Sequence, residues 1–212
     1  SLKINLENHY DEISIFYETT KGARALQWLD PNQTAGKRNP FLFTQSQAIL
    51  ARTWIPCQDS PGVRFTYNAK VKVPKNLLPV MSAVNPFEKN NIGIYNFTMT
   101  QPIPAYLMAL SVGDLQFKKL GNHTGVYAEP CMLSKASFEF ENTEKMLKLA
   151  EDMFGKYLWD RFDLLVLPPS FPFGGMENPK LTFVTPTILS GDRSLTALIA
   201  HELAHSGSGN LV

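Results

Sequence analysis

Cysteine is scarce: the sequence has two, Cys57 and Cys131, far apart and in no CxxC arrangement. That excludes a disulfide-built scaffold and a cysteine-rich metal finger, and both thiols are expected to be free and mostly buried. Neither charge sign forms a long block, and the formal net charge is only +1. A phosphate-tracking surface is therefore not expected, nor is nucleic acid as a partner. No apolar run reaches the roughly 20 residues that cross a bilayer, so no membrane span is expected. The opening SLKINLENHYDE has no apolar leader core, and a cytoplasmic, reducing setting is the default expectation. N-x-S/T triplets at Asn32, Asn96 and Asn122 are no more than chance would give and leave the compartment open. Internal repeats and low-complexity tracts are also missing, which excludes solenoids.

What is present is a chain of 212 residues, 44% hydrophobic, ample for a buried core. The first half lacks a convincing long helix and reads as strands. In VRFTYNAKVKV, residues Val63, Phe65, Tyr67, Ala69, Val71 and Val73 alternate with mostly polar neighbours, the period of a sheet with one buried face. LKINL, ISIFY and IGIYNFTMT repeat this pattern in shorter form, and QPIPAYLMALSVG predicts a more continuously apolar strand. From Asn142 the period changes. Met146, Leu149, Ala150, Met153 and Phe154 fall at helical spacing, with Gly155 placed to end the helix. DLLVL and LTFVT predict buried strands, and Asp192 or Ser194 is placed to cap a helix through LTALIAHELAH. The fold class expected is α+β: a β-rich unit over residues 1–115, then a mixed α/β unit over 116–212.

HELAH carries the clearest chemistry. On a helix, His201 and His205 lie one turn apart on one face, where two imidazoles can close on a single Zn2+ ion. Glu202 is rotated about 100° from His201, which suits a carboxylate beside the metal but not on it. Zinc lowers the pKa of a water toward 7, and such a carboxylate can take the proton as the water attacks a carbonyl. Leu195, Leu198, Ile199 and Leu203 surround the motif with apolar residues, and desolvated histidines and an acid call for a partner such as a metal. His9 and His123 lie in polar stretches and are expected at the surface.

A second constellation is FPFGGMENP, Phe171 to Pro179. Adjacent glycines let another backbone approach closely, so an extended peptide could pair there as an added strand. Glu177 would then place a carboxylate at one end of the cleft, where it can recognise a free α-ammonium group.

GGMEN followed by HELAH and then GN resembles the M1 family of zinc aminopeptidases. The stretches FTQSQAILARTWIPCQDSP, LLVLPPSFPFGGMENPKLTFVTPT and HELAHSGSGNLV look like its leukotriene A4 hydrolase branch. The likeness runs from ALQWLDPNQTAGK through nearly all the chain. It implies an N-terminal saddle domain followed by the start of a thermolysin-like catalytic domain. It also implies a hydrolase that removes N-terminal residues from peptides, or in this branch opens a fatty-acid epoxide at the same zinc. His201 and His205 would be zinc ligands, Glu202 the general base, and Gly174, Gly175, Met176 and Glu177 the substrate strand. Glu177 would bind the free amine, helped by Gln47 and, less directly, Gln45.

The sequence departs from the family pattern in three ways. The family's third ligand, a glutamate on the following helix, and its oxyanion-stabilising tyrosine lie beyond Val212. As given, the chain is expected to be inactive alone, with the remainder of its own enzyme as a partner. The family commonly has Trp where Gly207 stands. Loss of a buried aromatic costs about 3–5 kcal/mol, and glycine within a helix about 1 kcal/mol more. Phe173 replaces a frequent tyrosine.

Overall fold

A computed structural model describes residues 3–5 and 7–211. It shows a β-rich α+β protein built on two sheets and a long ribbon. The first sheet is antiparallel, in the order β1 (Leu26–Leu29), β2 (Phe41–Thr44), β6 (Leu110–Gly113), β4 (Leu78–Met81). The ribbon pairs β3 (Arg64–Lys72) with β5 (Ile94–Pro104) and is kinked by a register shift between Phe65 and Tyr67. Period-two alternation operates here as expected: Tyr95, Phe97 and Met99 are buried while the residues between them face solvent.

The second sheet runs β10 (Gly175–Met176), β11 (Leu181–Val184), β9 (Phe162–Val166), β8 (Thr124–Ala128), β7 (Gln116–Lys119). Its three central strands are parallel and buried throughout, which is why their sequences are mostly apolar rather than alternating, with Thr124, Asp163 and Thr182 as buried polar exceptions. Helices α1 (Pro130–Glu139), α2 (Thr143–Phe154) and α3 (Ala197–Ala204) accompany this sheet. Gly155, at φ +94°, ends α2 as its position predicts.

The two regions share one large apolar core. Phe43 of β2 meets Phe171 edge-on at 5.7 Å, and the buried carboxylate of Glu129, just before α1, accepts the main-chain N–H groups of Ala35 and Gly36 at 2.8 and 3.0 Å. No helix among the described residues is long and apolar enough to cross a membrane.

Several local expectations need correction. ISIFY is not a strand: Ile13 to Tyr17 is exposed and without regular structure, Phe16 being 97% exposed. Its alternation found no neighbouring strand among the described residues. LKINL falls partly outside the described residues, and Lys3–Asn5 is not a strand. QPIPAYLMALSVG is broken in two, because β5 ends at Pro104 and a 3-10 turn over Ala105–Leu107 precedes β6. Pro102 and Pro104 still lie within β5, and in the turn that follows the Met108 N–H bonds to Ala105 O at 3.1 Å instead of to a ladder partner. Cys57 and Cys131 are free, but neither is buried and Cys131 is exposed. His9 and His123 are at the surface as expected. Helix α1 was not anticipated.

Candidate active site

Helix α3 carries HELAH and is placed by contacts made upstream of it. The buried Glu139 carboxylate at the end of α1 takes the Gly191 N–H at 2.8 Å and the Ser190 hydroxyl at 2.9 Å, while Arg193 Nε donates to Phe138 O at 3.0 Å. Asp192 and Ser194 do not cap the helix. Asp192 Oδ1 instead accepts the Ser194 N–H at 3.0 Å within their own turn, and Thr196 stands at the N-cap with no side-chain capping bond. The Ser190 and Ser194 hydrogen bonds hold the exposed Asp192 carboxyl down at about 2. Beyond α3 the chain winds into one π-helical turn, His205–Gly209. Its buried Ser206 carbonyl accepts the indole N–H of Trp159 at 2.8 Å.

His201 on α3 and His205, the first residue of the π-helical turn, have their Nε2 atoms 3.1 Å apart and their rings nearly perpendicular. Two imidazoles bound to one tetrahedral zinc at about 2.0–2.1 Å would hold these nitrogens about 3.3 Å apart, so the pair fits two corners of such a site. No third His, Cys, Asp or Glu joins them in a metal-binding group among the described residues.

Glu202 lies alongside β10. It is 4% exposed and lies against Gly175. A Cβ at Gly175 would stand 2.6 Å from its Cδ and 2.9 Å from its Cγ, so this carboxylate occupies space that only glycine leaves open. Burial, and secondarily the negative charge of Glu177, push its carboxyl up to about 7.

Gly175 and Met176 form β10, antiparallel to β11 with Gly175 opposite Val184 and Met176 opposite Phe183. The Thr185 N–H adds a bond to Gly174 O at 2.9 Å. β10 is the outermost strand of its sheet, and Gly174 rests against Leu198 of α3. Glu177 follows directly, half-buried.

Gln45 is half-buried and Gln47 exposed, joined by a bond from Gln47 N–H to Gln45 Oε1 at 3.3 Å. Gln45 shares a cleft of about 540 Å³ with Phe43, Leu50, Pro172 and Phe173. Through Phe173 that cleft adjoins the glycines, and among the described residues neither glutamine is hydrogen-bonded to Glu177.

Three neighbours escaped the sequence reading. The charges of Glu177 and Arg64 both act on the Tyr106 phenol, which burial pushes upward. Asn210, 2% exposed, donates from Nδ2 to Glu177 O at 2.7 Å. Arg64 Nη1 donates to Asn210 O at 2.9 Å across 146 residues of sequence. No local pattern signals a meeting across such a span.

Helix, histidine pair, neighbouring acid and glycine edge strand lie together here, and comparison with known proteins gives the class of the chain. Residues 1–107 match the Peptidase M1 N-terminal domain and residues 138–212 the Peptidase family M1 domain. The chain belongs to the M1 peptidase family. Within it, the chain is 54% identical to leukotriene A-4 hydrolase of Xenopus laevis over 199 residues, 92% of this chain and 33% of that protein. It is 52% identical to human aminopeptidase B over 186 residues, 87% of this chain and 28% of that protein. The structure of yeast LTA4 hydrolase in complex with bestatin superposes with a TM-score of 0.85 at 44% identity, covering 91% of this chain and 30% of that one. The chain thus spans about a third of the length of these relatives.

Proposed function

We propose that this chain carries the zinc-binding helix and amine-recognition strand of an aminopeptidase acting on peptides with a free N-terminus. One observation supports this most: the Glu202 carboxylate packs onto Gly175, in the strand leading to Glu177, while His201 and His205 converge on the same helix. His201 and His205 would hold the zinc. When bound, the ion would polarise the scissile carbonyl and acidify a water. Gly174, Gly175 and Met176 offer an outer strand edge along which an extended substrate pairs. Glu177 holds the α-ammonium at the end of that edge, with Gln47 and Gln45 contributing from the β-rich side. Glu202 takes the proton of the attacking water and passes it to the leaving amine. The same reading divides the chain near residue 115 into a saddle unit and the start of a catalytic unit, supported by the change of sheet between Gly113 and Gln116.

Two histidines alone make a weak zinc site, so the 212-residue chain by itself is expected to bind zinc poorly and show no peptidase turnover. The decisive test uses protein expressed from the complete reading frame. Glu202→Gln should retain zinc and lower kcat on amino-acid anilides by about 10²–10⁴-fold. Normal turnover in that variant would defeat the assignment. A second reading, opening of a fatty-acid epoxide at the same site, is favoured by the similarity to leukotriene A-4 hydrolase. Absence of diol after incubation with such an epoxide would remove it.

A further inference from the structure

Three connections meet at Asn210, each from a different part of the molecule. Its own N–H donates to the carbonyl of His205 at 3.0 Å, closing the π-helical turn that follows the histidine pair. Its carbonyl accepts from Arg64 at the start of β3, at 2.9 Å. Its side-chain amide donates to the main-chain carbonyl of Glu177 at 2.7 Å. The residue is buried, so these bonds form away from competing water and define one geometry.

The Glu177 segment needs such an anchor. β10 pairs over only two residues, and two glycines precede Met176, so the main chain there has little stiffness of its own. The bond from Asn210 fixes the peptide unit adjoining the α-carbon that bears the Glu177 carboxylate. Because Asn210 is also bonded to His205, it measures the position of that carboxylate from the histidine pair rather than across the sheet.

We infer that Asn210 is a positioning residue that sets the spacing between the amine-binding carboxylate and the histidine pair, and that Arg64 holds Asn210 in register. The inference rests on Glu177 being the amine site. Asn210 touches no reacting atom in this scheme. It governs how strictly the enzyme requires a free amine at one fixed distance from the scissile bond.

The test compares two probes on zinc-loaded protein from the complete reading frame: leucine hydroxamate and its des-amino analogue. The unaltered protein should prefer the amine-bearing compound. Asn210→Ala and Asn210→Asp, which remove the donor to Glu177 O, should lose at least about tenfold of that preference. Affinity for the des-amino compound and zinc content should stay within about twofold. Arg64→Ala should shift the preference the same way by a smaller factor, and it carries the test if the Asn210 variants do not fold. A preference unchanged by these substitutions overturns the inference. So does an equal loss for both compounds or loss of zinc, since either marks a merely structural role. Glu177→Gln separates the layers. If it abolishes the preference while the Asn210 variants keep it, only the role of Asn210 falls; if it retains the preference, the amine-site reading falls and the inference with it.

Discussion

Gly175 shows how little room a single position can leave. Its missing Cβ is what allows the Glu202 side chain to lie against β10, and alanine there would force the carboxylate away from the strand. Gly175→Ala should leave zinc content nearly unchanged and reduce kcat by about 10²-fold or more, with a smaller change in KM, because a displacement of about 1 Å at a reacting group costs that much. Steady-state kinetics with parallel zinc analysis check this; turnover within threefold of the parent would show that Glu202 needs no such fit. The sequence made part of this visible. The double glycine pointed to close backbone approach, and the i, i+4 histidines to a shared face. That the closest intruder on Gly175 would be Glu202, 27 positions later, was not legible, since spacing along a chain does not report which side chain fills a void. Arg64, Tyr106 and Asn210 were hidden for the same reason.

Among the elements, the alternation of β3 and β5 and the helical spacing of α2 are legible in the sequence, and so are the short apolar runs DLLVL and LTFVT that form β9 and β11. β3 and β5 alternate because one face of each is covered, and α2 was found because its apolar residues recur at helical spacing. The same stripe on α2 is largely uncovered among the described residues: Leu149, Met153 and Phe154 are 62%, 72% and 82% exposed. It borders a groove of about 650 Å³ shared with Ala200, Leu203 and Gly207. Helix α1, PCMLSKASFE, has small and polar residues scattered through its apolar ones and shows no clear face. Ile13 to Tyr17 has the alternation of a strand and no strand beside it among the described residues. The π-helical turn after α3 offers a prediction at this scale. Gly207 lies within it, its φ is not positive, and an added Cβ would meet nothing within 4 Å. Gly207→Ala should therefore stabilise the chain by about 0.4–1 kcal/mol by restricting the unfolded state, raising Tm by roughly 1–4 °C. A lower Tm on thermal unfolding would mean that the turn depends on glycine for a reason the void does not reveal.

For the molecule as a whole, alkaline pH probes the core. Burial pushes the phenols of Tyr67, Tyr127 and Tyr157 well above their ordinary range, offset in part by a Ser82 bond at Tyr67 and by Arg161 at Tyr127. Unfolded tyrosines ionise near pH 10, so above that the unfolded chain has released protons the folded chain still holds. Stability is complete below about pH 10 and declines as pH rises toward the folded values. Urea midpoints measured from pH 9 to 11.5 should fall, and tyrosinate absorbance from these residues should appear with unfolding rather than before it. Ionisation of all tyrosines with secondary structure intact would contradict their burial. The carboxylate of Glu129 bears on the same scale. Each of its oxygens is already engaged by a main-chain amide from the β-rich region, so a clamshell opening there would exchange two buried hydrogen bonds for bonds to water. Relative motion of the two regions is therefore opposed at this seam, where the Ala35–Gly36 turn is tied to the start of α1.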